Sequence, residues 1–262
     1  MDTTQTNTVT SKDGTRIAYE KTGSGPSLIL IDPAGGFHVA RPMQGLVPLL
    51  ASDFTVWTYD RRGRGDSTDT LPYAPDREVD DLEALIEAAG ESVFLFGFSS
   101  GAVLALLAAA RGLPLKKIVI LEPPLERYDA PPAPSPLERE IADLVAKGQR
   151  REAYDHFARG IGVPEEIIAQ QRDVPYWPQL EAMAHTIVYD LTITRSLPTP
   201  QLAQINTPTL VINSAVTGPQ MHDWSTGTAA AMPNGVSLTL SGDWHSVPGD
   251  VLAEKMKDFF QR

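Results

Sequence analysis

The chain has 262 residues, a formal net charge of −11 at pH 7 and no cysteine. The absence of cysteine excludes a disulfide framework, a thiolate metal site and a thiol nucleophile. Since 33 acidic residues face 22 basic ones, a nucleic-acid backbone or an anionic membrane is a poor partner, whereas small neutral ligands stay open.

The first 14 residues are polar and lack the basic-then-apolar layout of a signal peptide. No stretch is long and apolar enough for a transmembrane helix. We therefore expect a cytoplasmic protein. The sequence carries no signal for its oligomeric state.

Short β-rich apolar runs alternate with amphipathic segments along the chain, which is typical of an α/β protein with a mostly parallel sheet. We predict strands over Arg16–Lys21, Ser27–Asp32, Phe54–Tyr59, Ser92–Phe98, Lys117–Glu122, Thr209–Asn213 and Val236–Leu240. We predict helices between them over Met43–Leu50, Val79–Ala89, Ala102–Arg111 and Val251–Phe260.

The interval 123–207 contains no convincing strand and is predicted to be helical. Ser135, Pro136 and Glu138 have the spacing of an N-cap, a first-turn proline and a capping-box partner. Further helices are predicted over Arg151–Arg159, Glu165–Gln171 and Trp177–Asp190. Because the strand pattern then resumes, we expect one domain whose core is 1–122 and 208–262, with 123–207 inserted as a helical cap.

The segment Gly97-Phe98-Ser99-Ser100-Gly101 lies between a predicted strand and an alanine-rich helix. In this context G-x-S-x-G predicts a nucleophile elbow, a sharp turn that needs glycines and presents a serine at a helix N-terminus. Ser99 is therefore the predicted nucleophile.

A serine nucleophile needs a base and a carboxylate that orients the base. His245 lies in the loop between the last predicted strand and the final helix, from which it can reach the carboxyl edge of the sheet. The stretch that follows Thr209–Asn213 contains no carboxylate before Gly218. Glu122, at the end of the preceding strand, is the predicted acid, and Asp223 is the alternative.

Two backbone N–H donors are needed to stabilise an oxyanion. One is predicted at Ser100, directly after the nucleophile. The other is predicted at Ala34, because Pro33 before it has no N–H, with Gly35 in reserve.

Substrate contacts are expected from one group of mostly aromatic and small residues: Gly35, Phe37, Phe98, Trp177, Met183 and Trp244. For the residues in the cap there is an alternative interpretation. Four of them share the spacing of one helix face, which would pack the cap onto the core. Those residues are Trp177, Leu180, Met183 and Ile187.

No cofactor and no metal are expected. The chain has no Gx4GK[ST] loop and no histidine–carboxylate spacing typical of a metal site. The segment Gly63-Arg64-Gly65 lacks the third glycine of a dinucleotide loop and is interpreted as a structural turn.

The order Ser99, Glu122, His245, with a helical insertion after the strand that carries Glu122, resembles the α/β-hydrolase superfamily. The segment Tyr59–Ser67 is similar to the turn after the fourth strand in that superfamily. The resemblance implies an α/β-hydrolase fold, with a mostly parallel eight-stranded sheet flanked by helices and a helical cap after strand six. The commonest acid position, after strand seven, is empty here, and subfamilies with the acid after strand six match Glu122.

Three short segments, Gly97–Ala102, Glu122–Pro123 and Val174–Trp177, distantly resemble the zearalenone-type lactone hydrolases, which implies that Trp177 contacts substrate. The expected activity is hydrolysis of a carboxylic ester or lactone of a small, largely apolar substrate, by a Ser-His-Glu triad through an acyl-enzyme. The alternatives are a cofactor-free perhydrolase or haloperoxidase, and a non-catalytic small-molecule receptor on the same fold.

Overall fold

The computed structural model describes residues 7–262, so the first six residues of the predicted core and of the polar opening segment lie outside it. The strands are β1 (Asn7–Thr10), β2 (Arg16–Thr22), β3 (Ser27–Ile31), β4 (Thr55–Tyr59), β5 (Val93–Phe98), β6 (Leu115–Leu121), β7 (Thr209–Ser214) and β8 (Gly235–Leu240). The helices are α1 (Leu46–Leu50), α2 (Pro75–Ala89), α3 (Ser100–Ala110), α4 (Pro136–Ala146), α5 (Arg150–Gly160), α6 (Glu165–Gln171), α7 (Trp177–Ala182), α8 (Thr186–Thr194), α9 (Thr199–Leu202), α10 (Pro219–Ala231) and α11 (Gly249–Gln261).

The strands form one eight-stranded sheet in the order β1-β2-β4-β3-β5-β6-β7-β8. The pairs β1–β2 and β2–β4 are antiparallel, and the remaining neighbours are parallel. Every residue of β3 and β5 is buried, because helices cover both faces of the sheet. The predicted mostly parallel eight-stranded sheet is confirmed, and β1 is a strand that the sequence pattern did not indicate.

The core has two layers, one on each face of the sheet. Apolar side chains of α2 and α3 pack on one face, and those of α1 and α11 pack on the other. Helix α3 is buried along most of its length, so its apolar residues surround it and do not form a single stripe. This packing fixes α3, and therefore the turn before it, against the centre of the sheet.

Six helices, α4 to α9, lie between β6 and β7, where the sequence predicts the cap. Ser135 accepts a hydrogen bond from the N–H of Glu138 at 3.1 Å, as expected of an N-cap. The Glu138 carboxylate, expected as the capping-box partner, instead binds Arg195 and Thr192.

The single helix predicted over Trp177–Asp190 is wrong. It is two helices, α7 and α8, separated by a turn at Met183. The N–H and the hydroxyl of Thr186 both donate to the Met183 carbonyl at 2.8 Å and hold this turn. The apolar face assigned to one helix is divided between two apolar clusters, one with Trp177, Leu180 and Met183 and the other with Ile187.

Within residues 7–262, none of the helices combines the length and the apolar character required to cross a bilayer. The expected cytoplasmic location stays a prediction.

Replacing Leu85 with alanine tests the layer formed by α2. Leu85 is fully buried, so we expect Leu85→Ala to lower the free energy of unfolding by about 2–5 kcal/mol, measured by urea denaturation. Leu49→Ala is the control, since 38% of Leu49 is exposed and its loss is expected to stay below about 1 kcal/mol. Equal losses in the two variants would contradict this description of the core.

Candidate active site

Ser99 occupies the turn between β5 and α3, with φ 54° and ψ −121°. Two glycines permit the turn because neighbouring backbone leaves no space for a side chain. A Cβ at Gly97 would lie 2.4 Å from the Gly101 carbonyl oxygen, and one at Gly101 would lie 2.4 Å from the Ile31 carbonyl oxygen. The elbow therefore needs both glycines of the motif, and it is pressed against the end of β3.

A positive φ is disfavoured for residues that have a Cβ. Among residues 7–262, three non-glycine residues adopt it: Ser99 at φ 54°, Glu122 at 46° and His245 at 53°. Such conformations cost about 1–3 kcal/mol each and cluster at functional sites. The strained positions coincide with the nucleophile, acid and base that the sequence pattern predicts.

Glu122 and His245 form a close hydrogen-bonded pair. Nδ1 of His245 lies 2.5 Å from Oε2 of Glu122, and the N–H of Ser214 donates to Oε1 at 2.8 Å. Burial raises the pKa of Glu122, but the hydrogen bonds from His245 and Ser214 outweigh burial and hold the pKa below its usual value. The ionised carboxylate can only accept, so Nδ1 carries the hydrogen and the lone pair of the neutral ring is on Nε2.

The alternative acid, Asp223, lies elsewhere. It is on α10, 79% of its side chain is exposed, and its carboxylate is 3.9 Å from Nδ1 of the neighbouring His222. The structure therefore brings Glu122, and not Asp223, to His245.

A cavity of about 450 Å³ opens beside the elbow. Ser99 and His245 both line it, as do Ala34 and Ser100, the residues predicted to supply the oxyanion-hole amides. Large apolar side chains of the cap and of α10 form much of the remaining wall: Phe157, Ile161, Leu191, Met221 and Trp224. The cavity thus joins the predicted catalytic groups to a mainly apolar space.

Of the six predicted substrate contacts, Trp244 lines this cavity. Phe98 packs against the ring of His245, with the centroids 4.7 Å apart. Gly35 faces the Tyr154 hydroxyl, which lies 2.2 Å from the position that a Cβ would occupy. Neither Phe98 nor Gly35 is among the cavity walls.

Phe37, Trp177 and Met183 also lie away from the cavity walls. They form a separate buried apolar cluster with Leu180, between the loop after β3 and helix α7. The packing interpretation of Trp177, Leu180 and Met183 fits this position, because α7 turns its apolar face toward that loop. Ile187 instead packs within the cap.

A network of buried charges lies beside the elbow. Asp190 of α8 is 2% exposed and accepts from Arg61, Arg64 and the Ser100 hydroxyl, each at 2.7 Å. Burial raises the pKa of Asp190, but the guanidiniums of Arg64 and Arg61 outweigh burial and hold the pKa below its usual value. Arg61 also binds Glu78 at 2.7 and 2.9 Å.

The sequence reasoning missed Asp190 and the arginines, since it interpreted Gly63-Arg64-Gly65 as a plain structural turn. Two signals could have found them. Asp190 stands in an apolar run, Thr186–Thr194, and three arginines stand within four residues of one another, 61–64, directly after a buried strand. Buried guanidiniums require carboxylate partners.

One group of potential metal ligands occurs among the described residues: His38, Asp60 and Asp66, with ligand atoms within 4.8 Å of one another. Asp60 is already engaged, because it accepts from Arg41 at 3.3 Å and from the N–H groups of His38 and Asp66. The cluster is accounted for by these hydrogen bonds.

Comparison with known proteins assigns the chain to a family. Residues 26–256 match the model of the alpha/beta hydrolase family. The crystal structure of an alpha/beta hydrolase from Sphaerobacter thermophilus DSM 20745 superposes with a TM-score of 0.87 at 41% identity, covering 97% of this chain and 100% of that one. The chain therefore belongs to the alpha/beta hydrolase family, as the sequence pattern predicts.

Two further relatives are more distant. The enol-lactonase from Burkholderia xenovorans LB400 has a TM-score of 0.73 at 20% identity, over 98% of this chain and 100% of that one, a likeness that shows the fold alone. The uncharacterized hydrolase YraK of Bacillus subtilis is 35% identical over 102 residues, 36% of this chain. The match spans 35% of YraK, about a third of the length of that curated relative.

The contact between Glu122 and His245 predicts unequal effects of two carboxylate substitutions. We expect Glu122→Gln to lower kcat for an ester substrate by about 10³- to 10⁴-fold, because an amide no longer holds the imidazole in the required tautomer. Asp223→Asn is the matched control and should leave kcat within about twofold, since its side chain is exposed. A large loss in Asp223→Asn with a small one in Glu122→Gln would move the acid to α10.

Proposed function

We propose that this protein is a serine hydrolase that cleaves a carboxylic ester or lactone through an acyl-enzyme. The observation that carries the proposal is that His245, hydrogen-bonded to the buried Glu122, lines the same cavity as Ser99, and that all three residues have a positive φ. Membership of the hydrolase family supports the reaction class. The bond cleaved and the roles of the residues are our proposal.

In the proposed mechanism, Nε2 of His245 takes the proton of the Ser99 hydroxyl as its oxygen attacks the carbonyl carbon. Glu122 holds the imidazole through Nδ1 and stabilises the imidazolium that forms. The amides of Ala34 and Ser100 bind the oxyanion. His245 then protonates the leaving alcohol, and water attacks the acyl-enzyme by the same steps to release the acid.

The charges around the cavity favour a neutral substrate. Among its walls in the described part of the chain, Arg195 is the one lysine or arginine, and it is bound to Glu138 at 2.7 and 2.9 Å. Three carboxylates also line the cavity: Glu126, Glu138 and Asp190. An anionic substrate would have to bury its charge without a free cation, which is costly in an apolar site.

Replacing Ser99 tests the nucleophile. We expect Ser99→Ala to lower kcat toward p-nitrophenyl butyrate and dihydrocoumarin, an aromatic lactone, by at least about 10⁴-fold. Ser24→Ala, at an exposed serine, is the control and should keep full turnover. Wild-type protein should also show a burst of p-nitrophenol and carry the acyl group on Ser99 by mass spectrometry. Full turnover in Ser99→Ala would contradict the mechanism.

A pair of esters with equal chain length tests the preference for neutral substrates. We expect kcat/KM for p-nitrophenyl butyrate to exceed that for the anionic mono-p-nitrophenyl succinate by at least about tenfold, because no unpaired cation faces the added carboxylate. Glu126→Gln should narrow this difference, since it removes one repulsive charge. Equal kcat/KM values for the two esters would contradict the assignment of a neutral substrate.

A further inference from the structure

Asp190 links the cap to both residues that supply the proposed oxyanion-hole amides. The first link is direct, since the Ser100 hydroxyl donates to Oδ1 of Asp190 at 2.7 Å. Ser100 is the first residue of α3 and lines the cavity. This hydrogen bond from the Ser100 side chain fixes the N-terminus of α3 beside the nucleophile.

The second link passes through Arg64. Its Nη2 donates to Oδ2 of Asp190 at 2.7 Å, and its Nη1 donates to the Pro33 carbonyl at 2.8 Å. That carbonyl and the N–H of Ala34 belong to one planar trans peptide, so they point in opposite directions. A hydrogen bond that fixes the carbonyl therefore fixes the direction of the Ala34 N–H.

Arg61 completes the arrangement. It donates to Oδ1 of Asp190 at 2.7 Å and to the Asp32 carbonyl at 3.3 Å, while Glu78 binds the rest of its guanidinium. Both oxygens of Asp190 are thus occupied by protein donors, and the side chain is almost fully buried. Asp190 is also one of the residues that line the cavity, so the groups that it holds lie directly beside the proposed substrate site.

We propose that Asp190 is a positioning residue of the oxyanion hole, aligning the Ser100 amide through its hydroxyl and the Ala34 amide through Arg64. This inference rests on the proposed serine-hydrolase function. Asp190 belongs to α8, and Asp190, Leu191 and Thr194 of this helix line the cavity. The helix that lines the cavity is therefore also the helix that holds the proposed oxyanion-hole donors in place.

The test compares two buried aspartates. Asp190→Asn removes the charge that holds Arg61 and Arg64, whereas Asp81→Asn breaks an equally buried pair, Asp81 with Arg62 at 2.7 and 2.8 Å, that does not touch the loop after β3. We expect Asp190→Asn to lower kcat on p-nitrophenyl butyrate by about 10- to 100-fold at nearly constant KM, because the donors are misaligned in the transition state. Asp81→Asn should keep kcat within about twofold per folded molecule.

A second measurement distinguishes misalignment of the oxyanion-hole donors from a loss of protein stability. Phenylboronic acid forms a tetrahedral adduct with a catalytic serine and places an oxygen in the oxyanion hole. We expect Asp190→Asn to weaken its binding by about the same factor as kcat/KM falls, and Asp81→Asn to leave binding unchanged. Thermal denaturation and titration of active serines give the folded fraction of each variant.

If Asp190→Asn does not fold, Ser100→Ala provides the test. It removes the hydrogen bond between the Ser100 hydroxyl and Asp190 and keeps every buried ion pair. It should lower kcat and phenylboronate affinity together, by a smaller factor than the loss of both links. Parallel losses in the Asp190 and Asp81 variants, or unchanged phenylboronate affinity in Ser100→Ala, would overturn the positioning role and leave the serine hydrolase intact. A wild-type protein that neither hydrolyses the esters nor binds phenylboronate would overturn the proposed function, and this inference with it.

Discussion

The pairing of two buried arginines, Arg61 and Arg64, with Asp190 constrains the relation between the core and the cap. Arg61, Arg62 and Arg64 follow β4, and each is 1% exposed. A guanidinium buried without its carboxylate costs about 3–5 kcal/mol, so each must meet a partner from another element. Arg62 is matched from α2, but Arg61 and Arg64 also need Asp190, which the chain supplies from the cap. The location of α8 is thus set by charge as well as by apolar packing.

The sheet brings the strained residues together. Parallel strands end at a common edge, so Ser99 after β5 and Glu122 after the neighbouring β6 start side by side. Ladder hydrogen bonds hold both turns, from the Ser99 N–H to the Leu121 carbonyl at 2.9 Å and from the Glu122 N–H to the Ile212 carbonyl at 2.8 Å. A rigid sheet in this way supports backbone conformations that an isolated loop would not retain.

The sheet and the elbow were predictable because their signals are local. Buried strands such as Ile29 to Ile31 form continuous apolar runs, and the two glycines around Ser99 mark a turn that no other residue fits. The cavity walls were not predictable from the same signals. Phe157 lines the cavity and Trp177 does not, and this difference depends on how short helices from separate parts of the chain pack against one another.

Because Glu122 follows β6, the loop after β7 does not have to supply the acid of the proposed triad. In the proposed triad the carboxylate comes from β6, so the segment from Ala215 to Gly218 contains no acid and contributes Thr217 and Gly218 to the cavity wall. Just before this segment, the backbone N–H of Ser214 donates to Glu122, and any residue except proline has such an N–H. Substitutions, insertions or deletions beyond Ser214 can therefore reshape the cavity while the catalytic groups stay in place, which makes this loop a natural route to new substrates.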